Sequence, residues 1–185
     1  MYLLTPPTIE PVTLAEAKAA ARISDTTFDA QLPGMIAAAR QMAEQETGQR
    51  FLAQTWRTEL ADWPADDDVL PVHQATAAAV SYWNGSGWVG LAGGAFEFGQ
   101  VGAGTALAPA VGTSWPALGA KAIGPRVRID LTAGAANADA VPPCVKLYIQ
   151  ALVAWWIDNP SAMAAGNLQE APFLRSLLDP VRLWA

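Results

Sequence analysis

Val141-Pro142-Pro143-Cys144-Val145-Lys146-Leu147-Tyr148-Ile149-Gln150-Ala151-Leu152-Val153-Ala154-Trp155-Trp156-Ile157-Asp158 is the greasiest stretch of the chain, and its reading decides the fold. Val145, Ile149, Leu152 and Trp156 recur at helical spacing and make one face. Leu147, Ala151 and Ala154 make another, which leaves Lys146 and Gln150 as a thin polar stripe. A helix apolar nearly all round is either the centre of a core or a surface shared with a neighbouring subunit. Val145, Ile149, Leu152, Trp155 and Trp156 are therefore expected at a core or a subunit interface. The stretch ends at Asp158-Asn159-Pro160, short of the roughly 20 apolar residues that a membrane span needs.

Towards the N-terminus two more helices are expected. Thr13 with Glu16 three residues later has the spacing of a capping box, and predicts a helix from about Leu14 to Arg22. Thr26 with Asp29 repeats the signal for a helix that Gly48 ends. Its apolar face is Phe28, Leu32, Met35, Ile36, Ala39, Met42 and Ala43, with Arg40 and Glu44 as an i,i+4 pair on the wet face. Pro33 predicts a kink, or a helix that starts there.

From Phe51 the period changes. Thr55–Leu60, Val69–Val72, Ala79–Trp83, Trp88–Leu91 and Arg126–Leu131 alternate or run as short strands, and Asn84-Gly85-Ser86-Gly87 makes a hairpin turn. Ala95–Phe98 is a further candidate strand, and Gly99–Pro116, rich in Gly and Ala, reads as a loop. The fold class expected is α+β: a mainly helical bundle core, about 13–50 and 141–179, with a small antiparallel β unit inserted over about 51–134. The C-terminal tail spans 172–185, and the whole is expected to be one domain.

The 185 residues carry 11 Lys and Arg against 17 Asp and Glu, a net charge of −6. Ordinary nucleic-acid binding needs clustered cations to neutralise phosphates, which this balance opposes. From Thr58 to Ala120 there is no Lys or Arg, while Glu59, Asp62, Asp66, Asp67, Asp68 and Glu97 all fall there. One cysteine, Cys144, excludes an intrachain disulfide, and one histidine, His73, makes a Cys/His zinc site untenable. The N-terminal residues lack a signal-peptide pattern, so a soluble protein made in a reducing cytoplasm is expected, with no membrane anchor.

No catalytic constellation stands out. Asp66-Asp67-Asp68 has the oxygen chemistry for a hard cation, but a loop kept soluble by its charge is the favoured reading. His73 has no nucleophile elbow to serve. Gly99–Gly104 lacks the Lys-Ser/Thr of a phosphate loop and precedes no helix. Trp83, Trp88 and Trp115 have the faces to stack on bases or sugars, yet no basic residues stand near them in sequence, which favours hairpin packing. Leu174, Leu177, Leu178, Val181, Leu183 and Trp184, with Arg175 and Arg182 between them, form an apolar terminal segment. It is to be buried on its own domain or on a partner; the residues alone leave both open.

The order of these signals resembles a known family. Pro11-Val12-Thr13-Leu14-Ala15-Glu16-Ala17-Lys18 is similar to its entry motif. Ala37-Ala38-Ala39-Arg40, Glu44, Thr47-Gly48-Gln49-Arg50 and Gln54-Thr55-Trp56 resemble its second helix and first strand. Ala133-Gly134, Val141-Pro142-Pro143-Cys144-Val145-Lys146 and Ala154-Trp155-Trp156 resemble its core helix, and Leu177-Leu178-Asp179-Pro180-Val181-Arg182 its close. This is the head–tail connector, or adaptor, family of long-tailed bacteriophages and gene transfer agents. The co-linear set covers nearly the whole chain; Val69–Lys121 matches loosely.

The resemblance implies a non-enzymatic structural protein without cofactors, located in the neck of a phage-like particle assembled in the bacterial cytoplasm. It implies a homo-oligomeric ring of roughly twelve copies beneath the portal protein, joined to a stopper or tail protein, through which DNA passes without specific binding. It places portal docking on Phe173, Leu174, Leu177, Leu178, Val181, Arg182, Leu183 and Trp184. Asp66, Asp67 and Asp68 then suit the lumen or lower rim, where repulsion keeps phosphates moving, or else an outward face that keeps the ring soluble. The alternative reading is a small-ligand or carbohydrate-binding β module with helical arms.

Overall fold

The computed structural model describes residues 1–65, 68–159 and 172–183. The chain divides into two compact units, one of Met1–Pro6 with Ala53–Gly134, the other of Pro7–Leu52 with the chain from Ala135 on. Among the described residues helix and strand are nearly balanced, 29% against 28%, with eight strands paired antiparallel. The expected mainly helical bundle with a small β insertion is therefore wrong.

The β unit holds two sheets. One has the order β1-β2-β8-β4-β5, formed by β1 (Tyr2–Thr5), β2 (Gln54–Leu60), β4 (Ala75–Trp83), β5 (Trp88–Gly90) and β8 (Val127–Ala133). The other has the order β3-β7-β6, from β3 (Val69–Leu70), β6 (Phe96–Val101) and β7 (Gly104–Pro109). The unit is not a pure insertion, because β1, the start of the chain, pairs with β2. Gly99–Pro116, expected as a loop, departs further from that expectation. Most of it is a hairpin, β6 and β7, whose Gly and Ala residues offer no alternation of large side chains to read. Gly102, at φ 55°, makes the turn. Gly104 lies so close to the Leu70 carbonyl that no Cβ fits there, which ties β7 to β3.

β8 is the middle of the larger sheet and alternates strictly between buried and half-buried residues. Val127, Ile129, Leu131 and Ala133 are at most 1% exposed and join Leu70, Val72, Val80 and Leu107 in one core. Trp56, Leu60, Trp63, Phe96 and Leu118 pack around it. The other face of β8 carries Arg128 and Asp130. Arg57 Nε and Nη2 each donate to Asp130 at 2.6 Å, and Arg128 Nε donates to Glu59 Oε1 at 2.8 Å.

The helical unit holds α1 (Leu14–Ala20), α2 (Leu32–Thr47), α3 (Pro143–Asp158) and α4 (Pro172–Ser176). α2 begins at the proline, as one of the two expectations had it, and Gly48 at φ 74° ends it. Val145, Tyr148, Ile149, Leu152 and Val153 of α3 are fully buried against Val12, Leu32, Ile36, Ala39, Ala43, Phe51 and Leu52.

The Arg40–Glu44 pair is not on a wet face. Both side chains are buried, at 4% and 5% exposure, because Glu10 from the preceding extended segment closes over them. Arg40 Nε donates to Glu10 at 2.8 Å, and its Nη1 to Glu44 at 3.1 Å. Burial alone lowers an arginine pKa; the hydrogen bond that Arg40 donates to Glu10 and the charges of both glutamates outweigh it and hold Arg40 above its usual value. Glu44 Oε1 also accepts from the Phe51 amide at 3.1 Å, so this helical pair fixes the turn that leaves α2.

The capping box at the start of α1 is present. Glu16 N donates to Thr13 Oγ1 at 3.2 Å, and Thr13 N donates to Glu16 Oε2 at 2.7 Å. These Thr13 bonds, the backbone one first, hold the Glu16 carboxyl below its ordinary range. A depressed carboxyl contributes stability above its unfolded-state pKa and loses it as pH falls through the folded-state value. Thr13→Ala is expected to cost about 1 kcal/mol near neutral pH, with a smaller difference from the wild type in acid, as read by urea melts across pH.

Candidate functional site

The sequence offered four places to look, and the structure treats them differently. Among the described residues no group of three or more His, Cys, Asp or Glu side chains is placed to hold a metal ion. Asp66 and Asp67 lie outside the described residues. Asp68 is exposed, and its Oδ2 accepts from the Ala65 amide at 2.9 Å in a local turn. His73 is half-buried and its Nδ1 stands 2.7 Å from Gln100 Nε2. Gly99–Gly104, the phosphate-loop lookalike, is the β6–β7 hairpin, and Gln100 Nε2 also donates to the Gly102 carbonyl.

The tryptophans do gather, in two pairs. Trp63 and Trp115 stack 4.6 Å apart at 6°, and Trp63 Nε1 donates to the Pro116 carbonyl. This pair pins the long segment after β7 to the β core. Trp83 and Trp88, opposite each other across the β4–β5 hairpin, meet edge to face at 6.0 Å. Sequence neighbours had suggested that they lack basic companions. The structure supplies two: Lys121 Nζ lies 4.9 and 4.8 Å from the Trp83 and Trp88 ring centres, and the Arg128 guanidinium 3.9 Å from Trp88. Both cations come from distant parts of the chain, so spacing gave no sign of them. They occupy the rings' faces, which a stacked sugar or base would need.

The charge pattern also reads differently in three dimensions. Of the six acids between residues 58 and 120, Glu59 pairs with Arg128 and Asp62 with Arg126, both from the stretch that returns after the cation-free segment. Arg57 and Asp130 balance each other, and the Asp130 hydrogen bonds raise the Arg57 pKa. The excess acid of the β unit therefore narrows to Glu97, Asp68 and the two aspartates before it in sequence.

At the C-terminus, Leu174 and Leu178 are at most 1% exposed in the chain's own helical core, and Leu177 and Val181 pack against that core. Leu183 donates its amide to the Thr47 carbonyl at 2.9 Å and lies over Gly48. Gln49 Nε2 donates to the Val181 carbonyl. Arg182 is 3.4 Å from Glu46 and 3.7 Å from Asp179; Arg175, 55% exposed, is 3.6 Å from Glu46. The Phe173 side chain and Trp184 lie outside the described residues. Val145, Ile149, Leu152 and Trp156 of α3 are interior, Trp155 is partly buried against the same core, and Leu147 is left 52% exposed.

Removing Arg128 as Arg128→Ala breaks the Glu59 pair and uncovers Trp88. A loss of about 1 kcal/mol or less is expected, with a red shift of tryptophan emission; an unchanged spectrum would mean that the cation does not sit on the ring in solution.

No protein-family model matches the sequence, and no curated protein matches it. Solved structures do, over the whole length. A chain from the neck of an empty gene transfer agent (GTA) particle computed with C6 symmetry aligns with a TM-score of 0.74 at 21% identity, covering 100% of this chain and 97% of that one. A chain from the virion of a native gene transfer agent particle aligns at 0.70 and 21%, covering 99% and 97%. A chain from the neck of a native GTA particle computed with C12 symmetry aligns at 0.67 and 22%, covering 100% and 97%. The fold, end to end, is one found in the necks of gene transfer agent particles.

Proposed function

We propose that this protein is a structural head–tail adaptor of a phage or gene transfer agent particle, all 185 residues acting as a single connector domain. Copies form a ring under the portal, join it to the stopper or tail, and line part of the DNA channel. The observation that carries the reading is the full-length likeness to neck chains, at TM-scores of 0.67–0.74 with 97% of each neighbour covered. The co-linear motifs of the sequence support the same reading independently. The carbohydrate-binding alternative loses its footing, since Lys121 and Arg128 sit on the hairpin tryptophans.

In this reading the C-terminal segment has two jobs. Leu174 and Leu178 anchor it to the helical core, and Phe173, Arg182 and Trp184 with the outward side of the segment meet the portal. Deleting 172–185 would strip the core, so point changes are the informative test. Phe173→Ala with Trp184→Ala is expected to leave the melting temperature within a few degrees and to abolish co-purification with the cognate portal, giving filled heads without tails. Retained portal binding by this folded variant would sink the docking assignment.

Asp66–Asp68 with Glu97 are assigned to the lumen or lower rim, where they repel phosphates and let DNA slide. Changing all three aspartates to lysine is expected to slow DNA ejection, more so at low salt. Ejection and tail joining at wild-type rates would put these residues on the outside.

A further inference from the structure

Each sheet has two edges, and the four edges are not alike. β5 has three residues and β3 two, and shortness protects an edge from unwanted pairing. β1 and β6 are longer, at four and six residues, and neither has a second strand beside it among the described residues. β1 is exposed along its whole length, with Tyr2 at 46%, Leu3 at 37% and Leu4 at 39%. β6 is exposed from Glu97 to Val101, with Phe98 at 37% and Val101 at 50%. Met1–Thr5 and Phe98–Val101 contain no charged side chain, on a chain whose net charge is −6. A long, uncharged, apolar edge is what a strand of another chain pairs with.

We infer that β1 of one copy pairs with β6 of the next, so that a sheet runs across the boundary between subunits. The inference rests on the ring reading above and names its contact. A ring grows by joining two different patches of the same chain, whereas one patch meeting itself closes a dimer. β1 and β6 are two different edges of one compact unit. β1 carries no charged side chain, and in β6 the four residues after Glu97 carry none, so acidic copies can approach along those stretches. Leu3 is registered with Trp56, and Phe98 with Leu107; Trp56 and Leu107 both belong to the β core, so Leu3 and Phe98 lie on the core-facing sides of their sheets. Continued as one sheet, Leu3 and Phe98 become cross-strand neighbours, within reach of a disulfide.

The test uses full-length protein assembled on its cognate portal, with Cys144→Ala so that no native thiol interferes. Leu3→Cys and Phe98→Cys in one chain, mildly oxidised, are expected to give a ladder of covalent oligomers ending at the full ring, and each single change none. Leu4→Lys and Val101→Lys are expected to abolish ring formation while the monomer melts as the wild type does. Rings seen by electron microscopy without a ladder from the double variant would overturn the β1–β6 contact and leave the neck reading standing. Covalent dimers from Leu3→Cys alone would overturn it in favour of a two-fold β1–β1 contact. Failure of the wild type to assemble on the portal would overturn the neck reading, and this contact with it.

Discussion

The pairing of β2 with β8 is the constraint on which the β unit depends. Seven residues match without a break, from Gln54 with Ala133 to Leu60 with Val127. A slip of one residue would turn Val127, Ile129 and Leu131 to the outer face and bring Arg128 and Asp130 into the core. The outer face guards against that slip. Arg57 grips Asp130 with two hydrogen bonds, and Glu59 holds Arg128 one register step along. In this register Arg128 lies over the Trp88 ring.

The helical unit uses a different lock. Its apolar faces supply the burial, but apolar contact alone leaves helices free to rotate and slide. Arg40, held by Glu10 and Glu44, is a charge that cannot be moved without leaving a buried ion unpaired. Glu44 extends the same lock to Phe51, where the chain leaves α2. The terminal leucines close the unit from the other side, with Leu174 and Leu178 in the core and the Leu183 amide on Thr47.

How much was legible follows from what each element displays locally. α3 could be read because its large residues repeat at helical period over sixteen positions. The Thr13–Glu16 cap could be read because its partners lie three residues apart. β8 could be read because Val127, Ile129 and Leu131 alternate with charge. The second half of β6 and all of β7 escaped because Gly and Ala carry no period, and β1 because Tyr2, Leu3 and Leu4 in a row fit either a strand or a loose terminus. The wet-face assignment of Arg40 and Glu44 failed for a different reason: the element that covers them, Glu10, lies thirty residues away.

The sequence by itself determined the helices, the Thr13 cap, the Gly48 stop, the central strand and, through its co-linear motifs, the family resemblance, because these rest on spacings of a few residues; the Thr26–Asp29 cap expected for α2 is not formed, since that helix begins at Leu32 behind Gln31. The tertiary structure decided the balance of the fold, the partners of the tryptophans and the place of the charge. Each of these depends on residues that meet only after the chain has returned on itself. The acidic stretch from residue 58 to 120 is real in the sequence, yet Arg126 and Arg128 neutralise part of it once β8 is in place, and the remainder is Glu97 and the run Asp66–Asp68. Local periodicity reports which face of an element is apolar; which element covers that face is set by long-range pairing, and no short window of sequence contains it.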